Sequence, residues 1–267
     1  MNQIPFFKTG EIMDHHSFEW HNHIDDLIFG PGKREVTLLK GILSRYPVKS
    51  VLDVACGSGD IAILLAGLGK SVTVLDHDFA RVKSVQLKSI LAGVQLEAAC
   101  GDMRDLSSVY KSRCNLITIL RNSLPRLLNE ADIWGTLAQM YLALEPEGLI
   151  VIQMFDYDRL FKENIYDLNK INNYYSELGV RVFFEHGQEK SDAKFIFDIS
   201  DQHFPEKKIE KIIFPVRPIF QNELDMWLAE LGFKKIENFG KLTDNNFTGE
   251  TWQNLTVAFR PGSSEDH

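Results

Sequence analysis

Asp53, Asp76 and Asp102 each stand at the end of a short apolar run, and the first is followed by a small-residue turn, Ala55-Cys56-Gly57-Ser58-Gly59. Gly57-Ser58-Gly59-Asp60-Ile61-Ala62 fits G-x-G-x-x-A, the alanine form of a nucleotide-binding fingerprint. A turn of this kind brings ligand atoms close to backbone N–H groups where a helix begins. A carboxylate about 20 residues past the glycines commonly accepts the hydroxyls of a ribose. Asp76 has that spacing. The pattern points to a nucleoside ligand without choosing which one.

The charge on Asp53 separates two classes of ligand. A pyrophosphate on the turn would add negative charge beside that carboxylate. At about 5 Å and an effective dielectric of about 20, two such charges repel by roughly 3 kcal/mol. A ligand with an ammonium and a sulfonium is attracted instead. S-adenosylmethionine carries both and no phosphate. Asp102 lies in G-D-M-R-D-L, where a carboxylate can accept from an adenine amine while the Met103 backbone reads the ring edge. The same residue type also caps a helix or turn start.

Elements of alternating type must position these groups. Val51, Leu52 and Val54 belong to a strand over 50–55, and Ser71-Val72-Thr73-Val74-Leu75 to a second. Further strands are expected over 94–100, 115–120 and 149–155, with Pro146-Glu147-Gly148 as a turn before the last. Helical spacing of apolar residues is read over 35–43, 61–68, 79–91 and 131–144. Strand and helix alternation with short connections implies a parallel sheet with right-handed crossovers. The pattern then changes: 180–185, 193–200 and 208–214 read as strands with no helix between them, so as antiparallel hairpins. A helix over 221–231 and closing strands over 233–239 and 252–259 follow. The expected fold is α/β, a Rossmann-like doubly wound seven-stranded sheet with an antiparallel β insertion as a lid. Residues 1–32 are expected to form an N-terminal arm, 33–155 the cofactor-binding core, 156–216 the inserted lid and 217–267 the remainder of the core sheet.

In order, V-L-D-V-A-C-G-S-G-D, V-T-V-L-D-H-D, A-C-G-D-M-R-D-L and L-I-T-I-L-R-N-S-L-P-R-L resemble the ligand-binding segments of class I S-adenosylmethionine-dependent methyltransferases. The resemblance implies Asp53, Gly57 and Gly59 around the methionine moiety, Asp76 on the ribose, and Asp102 with Met103 at the adenine. Ala55, Cys56 and His77 join the same cofactor-binding set, and Leu120, Arg121 and Asn122 come near the methyl group. Ala55 stands where many members have the first glycine of D-x-G-x-G-x-G. The segments 152–160 and 231–240 are similar to a subgroup of bacterial small-molecule methyltransferases acting on glycine or sugar amines. In L-R-N-S-L, Arg121 replaces the glycine of that group's L-G-N-S. The resemblance implies S-adenosyl-L-methionine as cofactor and a small-molecule acceptor, with N-methylation favoured over O-methylation. Two alternatives stand beside it: an NAD-dependent oxidoreductase, and a non-catalytic protein that binds S-adenosylmethionine.

Other polar residues have competing readings. Asn122 orients an acceptor or caps the next turn, and Tyr157 faces the site or packs; these two are the candidates for positioning the acceptor. The Arg121 fork suits a carboxylate or phosphate, or a surface ion pair. His186 and His203 are candidate general bases. Phe18 and Trp20 are candidate aromatics of a covering lid. His21-Asn22-His23-Ile24-Asp25-Asp26 is similar to the H-x-H-x-D-H motif of metallo-hydrolases, but its last position is Asp26 and no strand precedes it. No metal is assigned.

Bulk properties narrow the partners. With 29 basic and 37 acidic residues the net charge is -8, so the generic cationic footprint of a nucleic-acid binder is missing. RNA methylation is disfavoured on the same ground. No apolar run reaches membrane-spanning length, and Met1–Gly10 lacks the apolar stretch of a secretory signal. Cys56, Cys100 and Cys114 are odd in number and unpaired in spacing, as thiols of a reducing compartment would be. The expectation is a cytoplasmic protein with no membrane or nucleic-acid partner and an open oligomeric state.

Overall fold

The computed structural model describes residues 33–163, 178–187, 189–201, 208–239 and 253–262. The expected N-terminal arm, its histidines, Phe18, Trp20 and His203 lie outside the described residues.

The described residues begin with helix α1 (Lys33–Arg45), which leads into strand β1 (Ser50–Val54). There follow α2 (Asp60–Gly67), β2 (Ser71–Asp76), α3 (Phe79–Leu91), β3 (Glu97–Cys100) and the short α4 (Leu106–Val109). Strand β4 (Cys114–Ile119), α5 (Glu130–Ala143), β5 (Leu144–Phe155) and α6 (Tyr157–Lys162) complete the first half. Strands β6 (Leu178–Glu185), β7 (Lys194–Asp201) and β8 (Lys208–Pro215) form a separate sheet. Helix α7 (Gln221–Glu230), β9 (Lys234–Asn238) and β10 (Gln253–Phe259) return to the first.

The main sheet has the order β3-β2-β1-β4-β5-β10-β9. Strands β1 to β5 run parallel, and β10 lies antiparallel between β5 and β9. The order reverses between β1 and β4, so the crevice at their carboxyl ends is a topological switch point, the usual ligand position in such sheets. Alternation within β1 divides the core. Leu52 and Val54 pack with Ile117, Ile119, Ile150 and Ile152 on one face. Val51 packs with Val72, Leu116, Leu149 and Val151 on the other. Each such side chain contributes about 1.5–3 kcal/mol on burial. Burial on both faces is why these strands read as continuous apolar runs.

The three-stranded sheet is antiparallel throughout, as its lack of helices implies. Phe184, Phe195 and Phe197 carry it into the same core as Phe155 and Tyr157. Two local expectations need correction. The turn at Pro146-Glu147-Gly148 lies inside β5, because Glu147 and Gly148 bond to the Arg260 backbone and Glu147 takes φ 63° as an irregularity. Strand β3 starts at Glu97, three residues later than its apolar run suggests.

Candidate functional site

A cavity of about 510 Å³ opens where β1, β2 and β3 end. Ala55, Asp76, His77, Asp102 and Met103 line it together, as do Arg81 and Arg126. The sheet thus brings into one place residues that the sequence separates by some fifty positions.

The turn after β1 is built on left-handed backbone. Ala55, Gly57 and Gly59 have φ of 55°, 55° and 74°. The two glycines are needed for different reasons. A Cβ on Gly59 would stand 2.5 Å from a methyl of Val85, so this glycine lets α2 and α3 pack. A Cβ on Gly57 would meet only the guanidinium tips of Arg81 and Arg121, at 3.6 and 4.0 Å. That glycine faces the cleft. Ala55 adopts the left-handed form although its Cβ disfavours it by roughly 1–2 kcal/mol. The missing first glycine therefore appears as local strain and not as a different turn. Cys56 is buried beside this turn, and burial pushes its thiol well above the ordinary range. It is not a nucleophile here.

Asp53 sits beneath the turn, 3% exposed. Register places it opposite Thr118 of β4, whose hydroxyl donates to the carboxylate at 2.7 Å. Desolvation raises its pKa to about 6, against the lowering effects of Thr118 and Arg121. Asp76 ties the second strand end to the turn: Oδ2 accepts from Gly57 N–H at 2.9 Å and Oδ1 from Asp78 N–H at 3.0 Å. An ionised carboxylate has about four acceptor positions, so two remain for a ligand in the cavity.

Asp102 lines the cavity and is also a cap. It caps the turn Met103–Asp105 by accepting from Arg104 N–H at 2.8 Å. The Arg104 side chain adds Nε contacts at 3.0 Å to both oxygens and an Nη2 contact at 2.6 Å. This hydrogen bonding holds the Asp102 carboxyl below its ordinary pKa, and leaves few acceptor positions on it unfilled.

After β4 the chain bends through two consecutive left-handed residues, Arg121 (φ 57°) and Asn122 (φ 60°). Gln153 of β5 holds the bend: its side chain accepts from Arg121 N–H at 3.0 Å and its carbonyl from Asn122 N–H at 3.1 Å. Leu120, just before the bend, is buried. Asn122 Oδ1 accepts from Phe155 N–H at 3.1 Å and from the Tyr157 hydroxyl at 3.0 Å. Tyr157 is fully buried, and burial pushes its phenol upward. It holds Asn122 in place from behind and does not line the cavity. Asn122, Arg121 and Arg126 line a small recess walled by Phe155, Phe195, Phe197 and Phe214. His186 stacks on Phe161 at 4.2 Å and lines neither space.

Sequence reasoning did not single out Arg81, Arg126 or Gln153. A lone arginine on a helix carries no pattern signal, and Gln153 is recognisable only once β5 is paired. Among the described residues, no group of three or more His, Cys, Asp and Glu is placed to hold a metal ion, and no helix is long and apolar enough to cross a membrane.

Residues 51–148 match the family model of a methyltransferase domain. A glycine/sarcosine N-methyltransferase from Halorhodospira halochloris is 29% identical over 236 residues, 87% of this chain and 82% of its own. Among solved structures, an S-adenosylmethionine-dependent methyltransferase from Clostridium acetobutylicum superposes with a TM-score of 0.71 at 14% identity, covering 91% of this chain and 98% of that one. An S-adenosylmethionine-bound amino pentose methyltransferase from Micromonospora echinaspora does so with a TM-score of 0.59 at 18% identity, covering 95% and 100%. The methyltransferase-domain match and these relatives together support an S-adenosylmethionine-dependent methyltransferase. These relatives lend no support to an NAD-dependent oxidoreductase.

Proposed function

We propose that the protein moves the methyl group of S-adenosylmethionine to the nitrogen of a small-molecule acceptor. The observation that carries this reading is the cavity at the ends of β1, β2 and β3, with Ala55, Asp76 and the Asp102-Met103 pair on its wall. The names of the sequence relatives favour nitrogen as the methylated atom. On this reading residues 33–155 carry the cofactor, 156–216 cover the acceptor side and 217–267 complete the sheet.

The cofactor supplies an activated methyl on a sulfonium, so the protein needs mainly to orient and to exclude water. Asp76 offers its two open acceptor positions to the ribose hydroxyls. Asp102 accepts the adenine amine if the Arg104 fork yields one of its bonds, while the Met103 backbone meets the ring edge. Asp53 lies under the turn with a negative charge for the methionine end, shielded from water by its burial. Ala55, Cys56, Gly57 and Gly59 shape that end, His77 borders the ribose position, and Leu120, Arg121 and Asn122 border the methyl. Asn122, pinned by Tyr157 and Phe155, gives the acceptor a fixed polar edge.

Calorimetry with S-adenosylhomocysteine and NADH tests the reading. S-adenosylhomocysteine binds and NADH does not. Hydrogen bonds to a charged group contribute about 1.5–3 kcal/mol each, so Asp76→Ala weakens S-adenosylhomocysteine roughly 10- to 100-fold. Binding of NADH alone sinks the proposal. Tight S-adenosylhomocysteine binding with no methyl transfer across amines and phenols leaves a binding protein instead.

A further inference from the structure

Three arginines converge beside the glycine turn. Arg81 comes from α3, and Arg121 and Arg126 from the bend after β4. Arg81 and Arg121 reach the same point over Gly57. Arg126 lines both the 510 Å³ cavity and the phenylalanine-walled recess, so it stands at the seam between them. Its guanidinium lies 4.4 Å from the centre of the Phe214 ring. Among the described residues it makes no ion pair.

Arg121 is also underused. Its side chain is 16% exposed, Nη1 donates to Ser58 Oγ at 3.3 Å, and the nearest Asp60 oxygen is 3.9 Å from Nη2. Among the described residues, buried Nη2 has no hydrogen-bond partner. A buried guanidinium donor without an acceptor is costly. Burial, with repulsion from Arg126 and Arg121, lowers Arg81 to about 10. A sulfonium brought to this place adds one more positive charge. Arg81 has the Asp78 carboxylate at 3.7 Å, whereas among the described residues Arg121 has only Asp60 at 3.9 Å and Arg126 has no close anion.

Resting on the methyltransferase reading, we infer that the acceptor carries a carboxylate or phosphate held by Arg121 and Arg126 at the seam, with an apolar portion against the rim of the phenylalanine wall. The recess holds about 10 Å³, room for about one water, so the body of the acceptor stays on the cavity side. The planar forks suit either anion. Neutralising the arginines also favours the sulfonium, so an anionic acceptor and the cofactor strengthen each other's binding.

The cofactor has a carboxylate of its own, and the experiment separates the two sources. Calorimetry on the full chain saturated with S-adenosylhomocysteine uses phenyl phosphate and phenylacetate as probes, with benzyl alcohol as the neutral control. The anions bind at least tenfold more tightly than the alcohol. Arg126→Gln and Arg121→Gln each remove that advantage tenfold or more, and Arg126→Gln changes S-adenosylhomocysteine affinity less than threefold; Arg126→Lys keeps part of it. Thermal melting checks that each variant is folded. Anions that bind no better than benzyl alcohol overturn the inference. So does a tenfold loss of S-adenosylhomocysteine in Arg126→Gln, which assigns that arginine to the cofactor's carboxylate. Wild-type protein that binds no S-adenosylhomocysteine breaks the methyltransferase reading itself.

Discussion

On one side of the cleft, β1, β2 and β3 end in carboxylates, with a left-handed turn after β1, around a cavity of about 510 Å³. On the other side, β5 and the three-stranded sheet present Phe155, Phe195, Phe197 and Phe214 around a recess of only about 10 Å³. The first side is held by short polar links, such as Asp76 to Gly57 N–H. It retains strain at Ala55 and a desolvated carboxylate at Asp53. The second side is held by ring packing, with Phe155 and Phe195 stacked at 4.4 Å. The polar side gives up stability for a binding geometry, whereas the aromatic side supplies stability and joins the separate sheet to the core. Substitutions on the two sides should therefore act on different observables.

The largest effect is expected on the aromatic side. Phe195 is 2% exposed and touches Phe155, Phe184 and Tyr157. Phe195→Ala leaves a cavity where both sheets meet, and a buried Phe→Ala typically costs about 3–5 kcal/mol. Urea unfolding should show that loss as one cooperative transition. Affinity of the folded fraction for S-adenosylhomocysteine should change less than threefold. A loss under about 1 kcal/mol would mean that the three-stranded sheet contributes little to the core, and the comparison would fail.

Asp53 should respond in the opposite sense. Its folded pKa of about 6 lies above the ordinary 3.8, so the folded state holds the proton more tightly than the unfolded chain. The stabilising contribution is present below about pH 4 and is lost as pH rises through about 6. The full difference is roughly 3 kcal/mol. Ligand-free protein should accordingly gain from this group between pH 7.5 and 4.5. Asp53→Asn should remove that pH dependence and raise stability at pH 7.5, while weakening S-adenosylmethionine by removing the charge beneath its cationic end. Urea titrations of both proteins at the two pH values measure it. A variant less stable than wild type at pH 7.5 would show that the Thr118 hydrogen bond outweighs desolvation.

The two sides also differed in how much of them the residues disclosed. Strand ends, the turn and Asp53, Asp76 and Asp102 were legible because parallel strands make continuous apolar runs, and each run stops at a polar residue where the crevice lies. The antiparallel sheet was legible as strands, but its partner was not. Phe184, Phe195 and Phe197 read as ordinary β residues until register turns them toward Phe155. Tyr157 could not be sorted between cleft and core, because one residue past a strand end the direction depends on how α6 starts. Asp102 read as cap or ligand, and the Arg104 fork that occupies it was invisible. The arginine cluster was the least legible feature. Its members come from α3 and the bend after β4, and only the fold makes them neighbours.

The smallest expected effect falls on the seam between the two sides. Arg121 holds φ 57°, a conformation that disfavours a residue with a Cβ by roughly 1–2 kcal/mol. Glycine relieves that strain, yet adds about 0.5–1 kcal/mol of backbone entropy in the unfolded chain. Arg121→Gly keeps the backbone N–H that donates to Gln153 Oε1 and loses the contacts to Ser58 and Asp60, of which the exposed-side ion pair contributes little. Stability should rise by roughly 0.5–1 kcal/mol while the phenyl phosphate advantage is lost. Melting curves and calorimetry on one preparation read both. If stability falls instead, the side chain anchors the turn and its strain has a structural cause. If stability rises and anion binding goes, a residue that weakens the fold is retained for what it binds, and the polar side's trade of stability for binding extends past the cofactor to the acceptor.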